Sequence, residues 1–215
     1  LFSSILVQGF SPELSRVEPR GGKLGSEVEI RLYGKRLSDP EELLLYHKGL
    51  TVKSLTPGKD SNSVKAVIAI APDAPLGEHP MRLRCKGGLT YMRTFWVGQF
   101  PTVMEARTED KKKDLNDTFQ EPQKVDLNVT VQGVADREDD DYYQVQCKKG
   151  QRLSVEVEAM RLGRVMFDPY VAILDKNRFE LAVNDDSPLL KRDCAASIIV
   201  PEDGPYTIVV RESSY

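Results

Sequence analysis

The chain has 215 residues, enough for two domains of ordinary size, and 40% of them are hydrophobic while 29% are charged. Residues 1–100 carry a formal charge of +4 (14 Lys+Arg, 10 Asp+Glu) and residues 101–215 a charge of −7 (16 and 23), which gives the overall −3. The acidic second half argues against a nucleic-acid partner, and the diffuse positive charge of the first half does not indicate one. No segment has the length and hydrophobicity of a membrane-spanning helix.

The two ends of the chain each allow a simple interpretation. Residues 1–10 begin Leu-Phe-Ser-Ser-Ile-Leu-Val, which fits both the remnant of a signal peptide and a first β-strand. The sequence leaves these alternatives open. At the other end the chain stops directly after the strand-like residues 206–210, and we therefore expect it to be a piece of a longer protein.

The first half follows the two-residue period of β-strands. Residues 28–33 (Val-Glu-Ile-Arg-Leu-Tyr) alternate apolar with charged or polar side chains, and residues 64–70 and 81–85 repeat the pattern. One face of each run can enter a core while the other meets water. Turn signals rich in glycine and proline recur about every ten residues, a spacing typical of a β-sandwich.

The character of the sequence changes between the two halves. Residues 107–117 are nearly all charged or polar and include Lys111, Lys112 and Lys113. Such a stretch is typical of a linker between domains. The sequence thus predicts a first domain over residues 1–100, a charged linker over 101–113 and a second domain over 114–215.

After the linker the two-residue period resumes, and no helical pattern accompanies it. Residues 143–147 (Tyr-Gln-Val-Gln-Cys) alternate, and residues 169–174 are nearly all apolar, as expected of a central strand. Residues 175–178 (Asp-Lys-Asn-Arg) predict a hairpin turn. About seven strands without helices predict a second β-sandwich or a jelly roll. The predicted fold class is therefore all-β, with two consecutive β-sandwich domains.

Motifs for catalysis are missing from the sequence. It has no nucleophile elbow, no HExxH and no P-loop, and its Asp/Glu pairs are too many to single out a glycosidase dyad. His47 and His79 stand alone in the sequence, which argues against a His-based metal site or a Ser-His-Asp triad. We therefore expect a non-enzymatic protein without an organic cofactor.

The three cysteines, Cys85, Cys147 and Cys194, show no CxxC or Cys/His spacing, which excludes zinc fingers and thioredoxin-like redox motifs. Cys147 and Cys194 can form a disulfide if their strands are neighbours. The alternative is that all three are small buried apolar residues. The sequence leaves this pairing open.

A series of short motifs follows in order along residues 114–211. The series comprises residues 114–117 (Asp-Leu-Asn-Asp), 139–143 (Asp-Asp-Asp-Tyr-Tyr), 148–153 (Lys-Lys-Gly-Gln-Arg-Leu), 167–170 (Phe-Asp-Pro-Tyr), 174–177 (Leu-Asp-Lys-Asn), 184–186 (Asn-Asp-Asp) and 201–206 (Pro-Glu-Asp-Gly-Pro-Tyr). In this order the motifs resemble the bacterial pre-peptidase C-terminal (PPC) domain, in the style of large secreted planctomycete-like proteins. The resemblance implies a β-sandwich and an extracellular, cell-surface or periplasmic location.

The first half resembles an IPT/TIG-type immunoglobulin-like domain more loosely. Residues 17–25 (Val-Glu-Pro-Arg-Gly-Gly-Lys-Leu-Gly) precede a strand and Gly34 follows it, where that family has a Pro-x-Gly-Gly-x-x-Gly turn, a strand and a glycine. This resemblance implies an immunoglobulin-like sandwich over residues 1–100.

The PPC resemblance also implies a calcium site. Relatives such as the collagen-binding modules of bacterial collagenases hold Ca²⁺ between the first motif and the Asp-rich loop. Carried over by position, the candidate ligands are Asp114, Asn116, Asp117, Glu138, Asp139 and Asp141. Their oxygens are the donors that Ca²⁺ prefers, but Lys112 stands where relatives often have Glu. The alternative is a solvated acidic loop that residues 111–113 neutralise.

Tyr142 is the candidate ligand-binding residue, because it points away from the strand face that Tyr143 shares with Val145 and Cys147. The resemblances imply a non-catalytic extracellular binding or spacer module that contacts a polysaccharide, an extracellular protein or neighbouring domains of the same chain. Two alternatives stay open, namely the non-catalytic part of a secreted peptidase and a structural repeat of a cell-surface assembly.

Overall fold

The structure is a computed structural model that describes residues 10–108, 113–134, 139–162 and 167–213. These residues form eighteen β-strands and two short 3-10 helices, so the predicted all-β class is confirmed. The chain divides into two compact units, Leu1–Thr102 and Val103–Tyr215. No helix in the described part of the chain has the length and hydrophobicity needed to span a membrane.

The first unit contains two sheets. Its strands are β1 (Glu13–Glu18), β2 (Gly21–Lys23), β3 (Glu27–Lys35), β4 (Pro40–Leu45), β5 (Leu50–Pro57), β6 (Ser63–Ile70), β7 (Gly77–Cys85), β8 (Gly88–Leu89) and β9 (Arg93–Gly98). One sheet has the order β1-β3-β6-β5 and the other the order β2-β9-β7-β4, with β8 paired to β7. The pairs are antiparallel except for β2 with β9.

Alternation along these strands produces the core of the first unit. The inward side chains of both sheets pack into one apolar cluster, to which β3 contributes Ile30 and Leu32, β7 contributes Met81 and Leu83, and β9 contributes Phe95. These side chains are fully buried, while the alternate positions of the same strands are only partly buried or exposed and are mostly polar or charged. The arrangement is consistent with a β-sandwich, as the two-residue period predicts.

Gly34 lies at a close approach between the edge strand β1 and its neighbour β3. The register shifts between Leu14 and Arg16, so that Leu14 pairs with Gly34. A Cβ atom at position 34 would lie 1.7 Å from the carbonyl oxygen of Glu13. The glycine is therefore required by a close backbone approach at an irregularity in the strand pair.

The second unit contains one large sheet and two small ones. Its strands are β10 (Thr102–Met104), β11 (Gln123–Lys124), β12 (Thr130–Gln132), β13 (Asp140–Cys147), β14 (Arg152–Glu156), β15 (Pro169–Leu174), β16 (Glu180–Asn184), β17 (Ala195–Ile199) and β18 (Gly204–Glu212). The large sheet has the order β11-β13-β18-β15-β16, and the pairs β14-β17 and β10-β12 form the others. The 3-10 helices are Met160–Leu162 and Pro188–Leu190.

The large sheet buries side chains on both faces. On one face Tyr143, Val145 and Cys147 join Val171 and Ile173 in the main core of this unit. On the other face a smaller cluster contains Ala172, Leu174 and Val209, with Phe119, Tyr142 and Tyr170 packed against it. Burial on both faces explains why residues 169–174 are almost continuously apolar.

Cys147 and Cys194 are both buried in the main core of the second unit, and no disulfide joins them. Cys85 is likewise a buried thiol in the first unit. Of the two alternatives that the sequence left open, the structure therefore shows the buried thiols.

The start of the second unit lies within the stretch that composition marks as a linker. Thr102–Met104 pairs as β10 with Thr130–Gln132, and Arg107 forms an isolated antiparallel bridge with Asp114. The described residues from 103 onward in the predicted linker thus belong to the second unit. Residues 109–112 lie outside the described residues, as do residues 1–9, for which the sequence suggested a signal-peptide remnant or a strand.

Candidate cation site

Three separate pieces of the chain bring carboxylates together in the second unit. The first is the segment after β10, the second is the loop of residues 113–117, and the third is the start of β13. The amide of Leu115 donates to the carbonyl of Ala106 at 3.0 Å, and the amide of Tyr142 donates to the carbonyl of Asn116 at 2.8 Å. These backbone bonds fix the loop between the other two pieces.

We call the resulting group the acidic cluster and define it as Glu105, Asp114, Asp117, Asp139 and Asp141. Carboxylate oxygens of Glu105, Asp114 and Asp141 lie within 4.8 Å of one another, and all three residues are buried. Oxygens of Asp114, Asp117 and Asp139 form a second such group at the less buried side of the cluster. Asp114 belongs to both groups and links them.

Hydrogen bonds hold the buried side of the acidic cluster in place. The hydroxyl of Tyr143 donates to Oε1 of Glu105 at 2.8 Å, and the amide of Val134 donates to Oε2 at 3.0 Å. Nδ2 of Asn116 donates to Oδ1 of Asp141 at 3.1 Å. Glu105 and Asp141 therefore have fixed orientations, as a preformed ligand set requires.

The oxygen of a buried amide beside the acidic cluster lacks a donor. Asn116 is completely buried, and its Oδ1 has no hydrogen-bond partner among the residues that the structure describes. A buried acceptor without a donor costs about 1–3 kcal/mol. Since Nδ2 of the same amide is bonded to Asp141, Oδ1 of Asn116 is available to a cation beside the carboxylates.

Cationic side chains neutralise only part of the negative charge of the acidic cluster. Arg107 lies 3.8 Å from Oε2 of Glu105 and 3.6 Å from Oδ2 of Asp114, and Lys113 lies 2.9 Å from Oδ2 of Asp117. In the described part of the chain, five carboxyl groups therefore meet two cationic groups. Like charges packed this closely cannot all ionise unless a cation joins them or some of them hold protons.

The pKa values follow from this crowding. Burial, followed by the negative charge of Glu105, raises the pKa of Asp141 to about 9. Burial, followed by a hydrogen bond with Asp117, raises the pKa of Asp114 to about 7. The same hydrogen bond is the main reason that the pKa of Asp117 is lowered. Without a cation the cluster therefore retains protons at neutral pH, on Asp141 above all.

The donor set fits a hard divalent cation. All its members are oxygens, supplied by carboxylates and one amide, and Ca²⁺ takes six to eight such ligands at about 2.3–2.6 Å. No sulfur or imidazole donor belongs to either carboxylate group. The residues that can hold Ca²⁺ here are the acidic cluster and Asn116.

The sequence located most but not all of this arrangement. Asp114, Asn116, Asp117, Asp139 and Asp141, all predicted as ligands, lie together. Glu138, the sixth candidate, falls outside the described residues. Glu105 and Arg107 were missed because they stand in the apparent linker, although the strand-like Thr102-Val103-Met104 immediately before Glu105 offered a signal.

Tyr142 lies on the opposite face of β13 from the main core. It is half-buried, packs edge-to-face against Phe119 with ring centroids 6.4 Å apart, and its hydroxyl donates to Oδ2 of Asp140 at 3.3 Å. Arg178 stacks on Phe119 at 4.6 Å, and Arg211 stacks on Tyr170 at 4.5 Å. This sheet face therefore combines aromatic rings with charged groups.

The chain is similar to solved structures, whereas no protein family was found to match it. No protein-family model matches the chain, and no curated protein does either. Among solved structures, the chain is similar to SGBP-B of the Bacteroides ovatus mixed-linkage glucan utilization locus, in complex with mixed-linkage heptasaccharide, at 13% identity and a TM-score of 0.32. That match covers 94% of this chain and 75% of the other.

Two further structures are similar at comparable levels. SGBP-B from a complex xyloglucan utilization locus in Bacteroides uniformis matches at 10% identity and a TM-score of 0.33, over 94% of this chain and 67% of that one. Lac15 from a marine microbial metagenome matches at 13% identity and a TM-score of 0.25, over 90% and 50%.

Proposed function

We propose that the chain is a non-catalytic, extracellular binding or spacer part of a larger secreted bacterial protein, and that Ca²⁺ stabilises its second unit. The observation that carries the calcium proposal is the meeting of five carboxyl groups next to the buried amide of Asn116, whose Nδ2 donates to Asp141 and whose Oδ1 has no donor among the described residues. Within the described ranges, no hydrogen bond from a cationic or a neutral donor reaches that oxygen.

The cation has a structural task in this proposal. Ca²⁺ replaces the protons that Asp141 and Asp114 retain and neutralises the repulsion among the carboxylates. By binding Glu105, the loop of residues 113–117 and the start of β13 at once, it joins three pieces of chain that are distant in sequence. The resulting rigid end of the sheet presents the loops of the second unit in a fixed geometry.

Thermal unfolding in millimolar Ca²⁺ and in excess EDTA tests this proposal. A cation that binds only the native state adds about 2.7 kcal/mol at one hundred times its Kd. For a unit of this size the midpoint is expected to rise by about 10 °C. An unchanged midpoint in Ca²⁺, with Mg²⁺ as the comparison ion, would remove the metal from the proposal and favour a spacer with a solvated acidic loop.

The sheet face around Tyr142 is the proposed contact surface for a polysaccharide or an extracellular protein. Phe119, Tyr142 and Tyr170 provide aromatic surface there, and Arg178 and Arg211 provide hydrogen-bond donors beside it. Affinity electrophoresis in gels that contain soluble β-glucans compares the unmodified chain with Tyr142→Ala. Retardation that is lost in Tyr142→Ala supports a glycan surface, and equal mobility with and without every glycan leaves a protein partner as the proposed ligand.

A further inference from the structure

The only two histidines of the chain lie side by side in the first unit, although 31 residues separate them in the sequence. His79 belongs to β7 and points inward with Met81, and it is 2% exposed. His47 is exposed and lies in the loop that follows β4. The two ring centroids are 5.2 Å apart, and the ring planes meet at 71°.

The hydrogen bonding of His79 fixes which nitrogen carries the proton. Nε2 lies 2.6 Å from the carbonyl oxygen of Pro75, and because a carbonyl only accepts, Nε2 must donate. In the neutral imidazole this leaves Nδ1 with its lone pair. Nδ1 is buried, and within the described ranges it has no hydrogen-bond partner.

In metal-binding histidines, a backbone carbonyl commonly accepts a hydrogen bond from the ring nitrogen that does not bind the metal. It sets the tautomer, orients the ring and makes the opposite nitrogen more basic. A buried nitrogen that is left without a donor is costly in a protein that binds nothing there. The environment of His79 thus has the features of a metal ligand.

The loop that carries His47 is attached on both sides. The amide of Tyr46 donates to the carbonyl of Pro80 at 3.3 Å, and the amide of Ala71 donates to the carbonyl of Gly49 at 2.7 Å. Pro80 directly follows His79 in β7. The backbone before His47 is therefore held next to His79, and the backbone after it is fixed to the residue that follows β6.

The distance between the rings agrees with a shared metal ion. A metal–nitrogen bond of about 2.0–2.1 Å, extended to the ring centre, places each centroid about 3.2 Å from the metal. Two such ligands at the tetrahedral angle have centroids about 5.2 Å apart, and the observed separation is 5.2 Å.

We propose that His47 and His79 bind one divalent transition-metal ion of the zinc class, with Nδ1 of His79 as one ligand and water in the remaining positions. Imidazole suits Zn²⁺, Ni²⁺ and Cu²⁺, whereas the all-oxygen acidic cluster suits Ca²⁺. This site belongs to the first unit and is independent of the proposed calcium function. In this role the metal links the loop after β4 to strand β7.

Histidine NMR tests the proposal, because both imidazole signals of the chain belong to this pair. The full chain without an affinity tag, labelled in its histidines and held in excess Ca²⁺ to saturate the acidic cluster, is titrated with Zn²⁺. The signals of both rings are expected to change together and to stop changing at one equivalent. Movement of the His47 signals alone, or of neither ring, would overturn the proposal.

Variants separate a two-ligand site from adsorption on an exposed ring. His47→Ala removes an exposed side chain, and the apparent Kd for Zn²⁺ is expected to rise about tenfold or more, since the loss of even a hydrogen-bond partner of a metal ligand costs about 10–100-fold. Lys48→Ala, a change at the adjacent exposed position, is expected to leave the Kd unchanged. Equal Zn²⁺ binding by His47→Ala and the unmodified chain would refute the shared site.

Discussion

Asp139, Asp140 and Asp141 are consecutive in the sequence but differ in their surroundings. Asp139 and Asp141 belong to the acidic cluster, whereas Asp140 accepts a hydrogen bond from Tyr142 on the other side of β13. Each change from Asp to Asn replaces one carboxyl oxygen with an amide nitrogen at nearly constant shape, so that the three variants compare two positions inside the acidic cluster with one outside it.

Asp139→Asn and Asp141→Asn are therefore expected to abolish most of the stabilisation by Ca²⁺, about 2–3 kcal/mol at saturating concentration. Asp140→Asn, the matched control, is expected to retain it. Urea unfolding of the three variants with Ca²⁺ and with EDTA measures these differences. If all three variants responded to Ca²⁺ like the unmodified chain, the ion would bind somewhere other than the acidic cluster.

The raised pKa values of Asp141 and Asp114 predict how stability depends on pH. Between the unfolded value of about 4 and the folded values of about 9 and about 7, the folded chain holds more protons than the unfolded chain. Under this condition the free energy of unfolding falls as pH rises. In EDTA we therefore expect this cluster to contribute a decrease in stability from about pH 4 to pH 9.

Ca²⁺ is expected to reverse this trend, because it binds the deprotonated carboxylates and so gains affinity as pH rises. Urea unfolding at pH 5, 7 and 9, with and without Ca²⁺, measures both effects. Asp141→Asn, which mimics the protonated acid in shape, is expected to flatten the decrease seen in EDTA. A decrease of unchanged slope in Asp141→Asn would assign the pH dependence to other groups.

At the scale of single elements, the β1–β3 pair depends on Gly34. A methyl group there would overlap the carbonyl oxygen of Glu13, and relief requires the backbone of β1 to move away from β3. We expect Gly34→Ala to destabilise the first unit by about 3 kcal/mol. Gly87→Ala is the control, since its added Cβ would meet only Pro12 and the Phe10 carbonyl at ordinary contact distances of 3.9–4.0 Å.

Urea unfolding followed by tryptophan fluorescence measures the Gly34→Ala effect, because Trp96 is the single tryptophan and lies in β9 of the same unit. Equal loss of stability in Gly34→Ala and Gly87→Ala would show that the close approach to Glu13 is not responsible.

The elements that sequence predicted best are those whose pattern is complete within a few residues. The alternation at residues 28–33 and 143–147 reappears as β3 and β13, and the turn at residues 175–178 is closed by a bond from the amide of Arg178 to the carbonyl of Asp175. Strand β10 escaped prediction because it is only three residues long, and its pairing partner lies beyond the acidic loop.

The same distinction applies to the candidate sites. Asp139 and Asp141 stand in an acidic run that is visible in the sequence, and the PPC resemblance linked them to Asp114. Glu105 reaches them through tertiary contacts, among them the hydrogen bonds from Tyr143 and Val134. His47 and His79 look isolated in the sequence, which argued against a His-based metal site, yet the pairing of β4 with β7 brings the two rings together.

For the molecule as a whole, the two units have cores that share no residue among those described. Ca²⁺ bound at the acidic cluster is therefore expected to slow amide hydrogen exchange in β13 and β18 while leaving β3 and β6 unchanged. Mass spectrometry of peptic peptides from the full chain measures both sets in one experiment. Equal slowing in both units would contradict a calcium effect confined to the second unit.

Alkylation of the three buried thiols can report when each unit unfolds. Burial, followed by the charge of Asp39, raises the pKa of Cys85 to about 11, and burial, followed by the charge of Asp193, raises the pKa of Cys194 to about 12. An alkylating reagent needs an accessible thiolate, so it marks Cys85 when the first unit opens and Cys147 or Cys194 when the second unit opens. A brief pulse of iodoacetamide thus times the two events separately in the unmodified chain.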